Sequence, residues 1–425
     1  MKLLDTEVAI VFWRLGPYHH ARLNATGRLL TVTGLEACGI EKTYAWNKVE
    51  GAESFTRITL TERFQPTREW REELRIKMAE ELDRIRPSVL VVPGWSMADA
   101  LAAMDWAFRR QIPIVCMSES TAWDEKRNPI KEWVKRRIIE LFSAALVGGT
   151  PHRDYMEELG MPSNRILLGY DAIDNDYFET KTDEVQNSGF KYQASGFALS
   201  KPYFLASARF IEKKNLFRLL KAYARYRRDA ARLVEGRASR VEGQTQQQTI
   251  GNEQPAPWNL ILLGDGDLRA KLEQLRSELG LADCVQMPGF KQYEELPEYY
   301  AAAGAFIHAS TTEQWGLVVN EAMASGLPVL VSNRCGCARD LVRDGENGLS
   351  FDPANEEQMA DLMLRISSDE ERRQEMGARS REIIANWGPE RFASGVKAAV
   401  EAALSAPRKK AGLLDRLILW GMTMR

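Results

Sequence analysis

The stretch AFIHASTTEQWGLVVNEAMASGLPVLVS, residues 305–332, holds strand, turn, helix and strand in one run. Ala305, Phe306 and Ile307 make a short apolar segment of the kind buried in a sheet. Ser310, Thr311 and Thr312 form a polar turn suited to cap a helix. Gly316 places no side chain between the backbone and a ligand. The helix is expected from about Leu317 to Ser325. Gly326 suits the left-handed position just past its end, Pro328 blocks continuation, and Val329, Leu330 and Val331 start the next strand. Two short apolar strands joined through a helix imply a parallel pair with helices packed on the sheet. The class is therefore α/β. Glu313 lies in the loop of this unit and Glu321, eight positions on, inside its helix.

The alternation runs outward from there. Toward the N-terminus the strand patterns are PVLVS, AFIHAS, CVQMPG, NLILLGDG and PYFLASA, with helices over Asn215 to about Arg232 and up to Leu279 between them. A second set, EVAIVFW, SVLVVPGW, PIVCMS, AALVGG and RILLGY, lies within the first 170 residues and is interleaved with helices such as 68–85. The economical reading is two doubly wound, Rossmann-like domains, which bind ligands outside the carboxyl ends of their strands. The expected boundaries are a first domain over 1–180, a polar linker or loop over 181–200, and a second domain over 201–385. A helix over 386–405 crosses back to the first domain, and a basic amphipathic tail spans 406–425. Residues 235–257, nearly without apolar side chains and Gln-rich at the centre, read as a mobile insertion.

Across 425 residues, 57 Lys and Arg balance 59 Asp and Glu, so bulk charge points to neither nucleic acid nor an acidic tail. No run approaches the ~20 apolar residues that span a bilayer, and Asp5 and Glu7 interrupt what a signal peptide needs apolar. A cytoplasmic protein is the expectation. Cys38, Cys116 and Cys284 sit in or beside apolar runs, and the Cys335–Cys337 spacing lacks the second ligand pair of a zinc site.

Two segments bear on a membrane. In 406–425, five basic residues and one acid accompany Leu413, Leu414, Leu417, Ile418 and Trp420, which can share one helical face. In 128–142, Ile130, Trp133, Val134, Ile138 and Leu141 form an apolar stripe beside Lys131, Lys135, Arg136 and Arg137. Each suits either a helix on an anionic surface, at the inner face of a membrane, or a helix packed on the protein with a solvated basic side.

The chemistry gathers around residues 305–332. A helix N-terminus favours an anion, above all phosphate. Carboxylates beside such a site make sense if they accept from hydroxyls, and a vicinal diol matches a carboxylate's two oxygens. A nucleotide sugar has that layout: ribose diol, diphosphate, sugar diols. Arg209 and Lys214 follow the strand PYFLASA, at the edge of the same sheet, where a guanidinium fork and an ammonium can converge on phosphate.

At this point the sequence resembles glycosyltransferase family 4, retaining enzymes of the GT-B fold, whose mark is a glutamate–seven–glutamate motif. Glu313 and Glu321 match the motif, and Arg209 and Lys214 match the family's phosphate-binding pair. LLGDGDLRAKLEQL is similar to its glycine turn and following helix, VQMPGF to the segment near the base, and LLGYDAIDNDYF to its hinge. The resemblance implies two Rossmann-like domains with a cleft between them. It implies transfer of a sugar from a nucleotide-diphosphate donor to a glycan, lipid-linked or small-molecule acceptor, with retention and without metal or cofactor. It further implies that Glu313 holds sugar hydroxyls, that Glu321 holds the ribose, and that Gly316, Leu317 and Val318 face the diphosphate or the sugar with their N–H groups. Arg209 and Lys214 would stabilise the leaving group. Ser310 completes the expected donor set. On the acceptor side, Glu119 stands where many members carry a histidine, and the loop Gly16 to Arg22 offers one glycine with His19 and His20 where others have several glycines. Glu119 suits a sugar or acceptor contact, a helix cap or an ion pair.

Rival readings are fewer. A nicotinamide oxidoreductase would want G-x-G-x-x-G after a strand, which WRLGPYHH lacks. A nucleotide-sugar epimerase, a glycosyl phosphorylase, or a protein that binds nucleotide sugar without turnover shares the architecture.

Overall fold

The computed structural model describes residues 6–40, 46–49, 51, 53–188, 193–194, 197–198, 202–241, 257–407 and 410–423. The chain forms two compact units, one of residues 1–174 with 386–425 and one of residues 175–385.

The first unit is built on a seven-stranded parallel sheet. Its strands are β1 (Glu7–Phe12), β2 (Thr31–Ile40), β3 (Thr56–Arg63), β4 (Val89–Pro93), β5 (Ile114–Ser118), β6 (Ala144–Val147) and β7 (Ile166–Leu168). Their order is β3-β2-β1-β4-β5-β6-β7. Val8, Ile10 and Phe12 feed the core on one face and Ala9 and Val11 the core on the other, the alternation that a doubly covered sheet requires. Helix Pro389–Ser405 packs in this unit, placing Phe392, Val396, Ala399 and Val400 in the core with Val8 and Ile10.

The second unit adds a short antiparallel pair, β8 (Gln193–Ala194) and β9 (Phe197–Ala198), and a six-stranded parallel sheet. The sheet strands are β10 (Tyr203–Ser207), β11 (Asn259–Leu263), β12 (Val285–Gly289), β13 (Ala305–His308), β14 (Val329–Ser332) and β15 (Gly348–Phe351), in the order β12-β11-β10-β13-β14-β15. In each unit the direction of winding reverses beside the first strand, between β1 and β4 and between β10 and β13. At such a reversal the two following loops leave in opposite directions and open a crevice at the carboxyl edge.

Three expectations need correction. Residues 181–200 are not linker throughout, because helix Asn175–Asn187 occupies the first part with Phe178 and Thr182 buried. Its polar look comes from a solvent face where Lys181 meets Glu184 one turn on. The helix after β10 runs Leu216–Val241, well beyond Arg232 and into the expected insertion. The rest of that insertion, 242–256, lies outside the described residues. In the tail, helix Leu413–Thr423 does not present Ile418 with its other apolar residues, since Ile418 packs with Leu419 and Met422 on the core of the first unit.

Candidate functional site

The crevice of the second unit is formed by the loops after β10 and β13. Ser207 ends β10, and Gly264 in the loop after β11 lies so close that a Cβ there would stand 1.9 Å from the Ala208 carbonyl. Gly264 also adopts φ of +120°, so only glycine fits this approach without strain. The turn it opens receives the Phe210 N–H on the Asp265 carbonyl at 2.8 Å, which fixes the loop carrying Arg209. A short 3-10 turn, Glu212–Lys214, follows and ends at Asn215 in the left-handed region, φ 59°. The Asn215 amide donates to the carbonyls of Ala309, at 3.0 Å, and Pro353, at 2.8 Å. It thereby ties the ends of β10, β13 and β15 together. The Thr311 N–H reaches the Lys213 carbonyl at 2.9 Å, and the two crevice loops become one rigid edge.

Glu313 sits at the centre of that edge, buried, with its backbone pinned between Arg334 and Gly336. Lys214 Nζ pairs with its Oε2. Lys213 Nζ lies 3.6 Å from Oε1, His308 Nε2 3.5 Å from Oε2, and the Ser310 hydroxyl donates to Oε2 at 3.2 Å. Burial alone would push this carboxyl up. The hydrogen bond from His308 and the charges of Lys214 and Lys213 overcome it and hold Glu313 well below the usual carboxylate range. His308 is itself held below its ordinary value, by burial first and then by the two lysines. A neutral imidazole with its proton on Nε2 can donate to the carboxylate, so the two directions agree.

Gly316 opens helix Leu317–Ala324 with φ of +103° and ψ of 62°. A Cβ there would meet His308 Nε2 at 3.4 Å and Glu313 Cγ at 3.5 Å, ordinary contacts, so it is the backbone angle that calls for glycine. Leu317 and Val318 stand partly exposed in the first turn, where helix N–H groups have no intrahelical acceptor. Glu321 is differently placed. It is fully buried in the helix and accepts from the Tyr300 hydroxyl at 2.6 Å. Arg209 is exposed on the loop after β10. The structure thus brings Lys214, Ser310 and Glu313 together, sets Gly316, Leu317 and Val318 beside them in the chain, and holds Glu321 inside. Lys213 and His308 are site residues that the sequence reading missed. Lys213 stands next to Lys214, and His308 ends β13 two residues before Ser310, so position at the carboxyl edge was their signal.

The edge of the first unit is organised around the opposite charge. Arg22, fully buried in helix Pro17–Gly27, donates from Nε to the Ala172 carbonyl at 2.8 Å and lies 5.1 Å from the Tyr170 ring centre. Its Nη2 is 4.0 Å from Asp171 Oδ1. Asp171 is held well above the ordinary carboxyl range by burial first, then by the charge of Glu119, with a hydrogen bond between the two side chains adding to it and Arg22 opposing. Glu119 itself is half-buried after β5. Asp99, buried at the start of the helix after β4, is pushed up to about 6 by burial.

The two histidines of this edge have local partners. His19 Nδ1 accepts from the Gly16 N–H at 3.3 Å, satisfying a donor at the helix start, and its ring packs on Phe12. His152 does the same for Gly149, at 3.1 Å, one turn into helix Thr150–Glu158. His19 is lowered to about 3, by burial and then by Arg22. His20 contacts Asn24 and Glu53 and is lowered mainly by burial.

Among the described residues no group of three or more His, Cys, Asp or Glu side chains is arranged to hold a metal ion. All five cysteines are buried free thiols.

Residues 190–383 match the family described as glycosyl transferases group 1. That span includes every residue named at the second unit's edge. The chain is 34% identical over 125 residues to the lipopolysaccharide core biosynthesis glycosyltransferase LpsE of Rhizobium meliloti (strain 1021), covering 29% of this chain and 36% of that protein. It is 32% identical over 136 residues to a GDP-mannose-dependent alpha-(1-6)-phosphatidylinositol monomannoside mannosyltransferase of Mycobacterium tuberculosis, covering 30% and 35%. The chain thus spans about a third of the length of these curated relatives. Anabaena HepE in complex with UDP superposes with a TM-score of 0.64 at 14% identity, over 92% of this chain and 98% of that one. Sucrose-phosphate synthase from Thermosynechococcus elongatus gives 0.66 at 19% identity, over 92% and 97%. These likenesses, with two parallel-sheet Rossmann-like units, establish the fold as GT-B.

Proposed function

We propose that this chain is a glycosyltransferase that moves a sugar from a nucleotide-diphosphate donor to a hydroxyl of a glycan, lipid-linked or small-molecule acceptor. The observation that carries the reading is the ionised Glu313 carboxylate, held between Lys214, Lys213, His308 and Ser310 just before the N-terminus of helix Leu317–Ala324. Carboxylate and ammonium satisfy each other there. A nucleotide sugar offers each a better-matched partner, hydroxyls for Glu313 and phosphate for Lys214. Arg209, on the same loop, and the first-turn N–H groups of the helix add donors to the phosphate.

In the reaction the anomeric C–O bond to phosphate breaks, a C–O bond to the acceptor oxygen forms, and the acceptor's proton ends on the released nucleoside diphosphate. Negative charge grows on that diphosphate as the bond breaks. Fixed cations at the loop after β10 stabilise it there without reorganising. Retention of anomeric configuration and independence from metal belong to the same reading, which the resemblance to family 4 motivates. So does the ribose role of Glu321, for which Tyr300 must yield or share its hydrogen bond. Glu119 is the polar side chain that the first unit would turn to an acceptor.

The test is a thermal-shift panel of nucleotide sugars followed by a transfer assay with the best binder. A ligand that binds only the native state raises its melting temperature by mass action. Stabilisation by one donor, with transfer or slow donor hydrolysis, supports the reading. Binding without either makes the chain a nucleotide-sugar-binding protein, and release of an isomerised sugar without acceptor makes it an epimerase.

A further inference from the structure

No described helix is long and apolar enough to cross a membrane, yet the first unit carries an apolar surface that is exposed among the described residues. Helix Leu413–Thr423 is apolar on two opposite sides. Its inner side sets Leu419 into the core and packs Ile418 and Met422 against it. Asp415, on the same side, is buried and takes Arg137 Nε at 2.9 Å and Nη2 at 2.7 Å. With 3.6 residues per turn, Leu413, Leu417 and Trp420 fall on the outer side. They are 78%, 56% and 64% exposed. A helix apolar all round is normally buried all round.

The ion pair joins this helix to helix Pro129–Ile139, which has an unburied row of its own. Ile130 and Trp133 stand two turns and one turn before Arg137 on the same face and are 74% and 47% exposed. The Arg137 guanidinium lies 5.9 Å from the Trp133 ring centre. Two exposed apolar rows are thereby held beside one salt bridge. Around them Lys131, Arg136, Lys410 and Arg416 are exposed. The acids among them are engaged inward: Asp415 by Arg137, and Glu132 by Lys135 and the Tyr155 hydroxyl. In a chain of net charge −2, residues 406–425 carry five basic groups and one acid. An apolar ridge with a cationic rim is complementary to anionic headgroups over acyl chains.

We infer that helices Pro129–Ile139 and Leu413–Thr423, locked together by Arg137 and Asp415, form one surface that docks the first unit on an anionic lipid bilayer. Leu413, Leu417, Trp420, Ile130 and Trp133 enter the interface, and Lys131, Arg136, Lys410 and Arg416 meet the headgroups. Neither helix alone is wide enough to bind well; the salt bridge makes them additive.

The experiment is co-sedimentation of the full chain with vesicles of phosphatidylcholine alone or mixed with phosphatidylglycerol. The expected result is binding to the anionic vesicles only, weakened by salt. Leu417→Glu/Trp420→Glu and, on the other helix, Ile130→Glu should each weaken binding by about tenfold or more. Lys131→Glu/Arg416→Glu should weaken it by a comparable factor, since each interfacial cation contributes about 1 kcal/mol. All these side chains are exposed, so melting temperatures should stay at the wild-type value. Equal recovery with and without anionic vesicles overturns the inference. So does a chain that dimerises through this face, with a dimer dissolved by Leu417→Glu/Trp420→Glu and no vesicle binding. Loss of binding in the tail variants but not in Ile130→Glu would overturn the joint surface. None of these readouts depends on glycosyl transfer.

Discussion

The two sheets present the same architecture at their carboxyl edges and treat charge in opposite ways. In the second unit one carboxylate, Glu313, is surrounded by Lys214, Lys213, His308 and Ser310 and stays ionised despite burial. In the first unit three carboxyls, Asp99, Glu119 and Asp171, gather with Arg22 around the buried Tyr170, and two of them are pushed toward the neutral form. The fold supplies a crevice in both places. What the crevice can hold is set by the groups left over: a surplus of cations suits a diphosphate, while a cluster of carboxyls suits hydroxyls.

The largest expected effect lies on the cationic edge. Lys214→Ala and Glu313→Gln should each lower the rate of transfer by ~10²–10³, as removal of a group that stabilises developing charge does elsewhere. Far-UV circular dichroism and melting should show the fold intact. Near-normal rates in both variants would break the contrast, because the edge would then be a structural ion-pair network.

A smaller effect, of opposite pH sign, is expected on the other edge. Folded Asp99 keeps its proton to about pH 6, while the ordinary carboxyl loses it near 3.8. Between those values the folded state binds more protons, so this group's contribution to stability declines as pH rises through the window and is level above it. Asp99→Asn should therefore gain on wild type from pH 4 to pH 6, by up to about 3 kcal/mol. Urea midpoints across that range check it. Glu313 has the reverse sign: its folded value is depressed, so its contribution is present at neutral pH and is lost as pH falls below the ordinary carboxylate range.

The smallest effect concerns His19. Its hydrogen bond to the Gly16 N–H is worth about 1 kcal/mol. His19→Ala should cost that much at pH 8, as measured by chemical denaturation. The folded value is about 3, so in wild type the contribution falls as pH drops from the ordinary 6.5 toward 3, and His19→Ala should overtake wild type below about pH 6. A constant deficit down to pH 4 would mean that the imidazole titrates freely and is not the helix cap described above.

Much of this was legible in sequence, for identifiable reasons. β1, β4, β5 and β6 and most strands of the second sheet are uninterrupted apolar runs, which buried parallel strands must be. β2 and β3 escaped because they are not. Glu36 is buried within β2, donated to by Arg57 at 2.9 Å and by Thr59 at 2.6 Å from β3, so polar pairing replaces the apolar signal. The donor-side residues were legible because loop, glycine and helix lie in one continuous stretch. Lys213 was not, since its link to Glu313 spans loops far apart in sequence, and His308 was not, since it falls inside the apolar strand run Ala305–His308. Nor does the sequence tell that His19, three residues after a glycine at a helix start, accepts from that glycine's N–H. Ile418 turned inward because the tail helix is apolar on both sides, and periodicity cannot say which side docks.

The central claim is that Lys214 and Glu313 divide the donor, phosphate to one and sugar hydroxyls to the other. Calorimetric titration of the wild type, Lys214→Ala and Glu313→Gln with the nucleoside diphosphate of the best donor tests it most directly. The account predicts that Lys214→Ala weakens binding by about tenfold or more. Glu313→Gln should bind the diphosphate at least as tightly as wild type, because Lys214 is released to it, while losing transfer. Equal affinity in all three proteins, or loss of diphosphate binding in Glu313→Gln with Lys214→Ala unaffected, would contradict it.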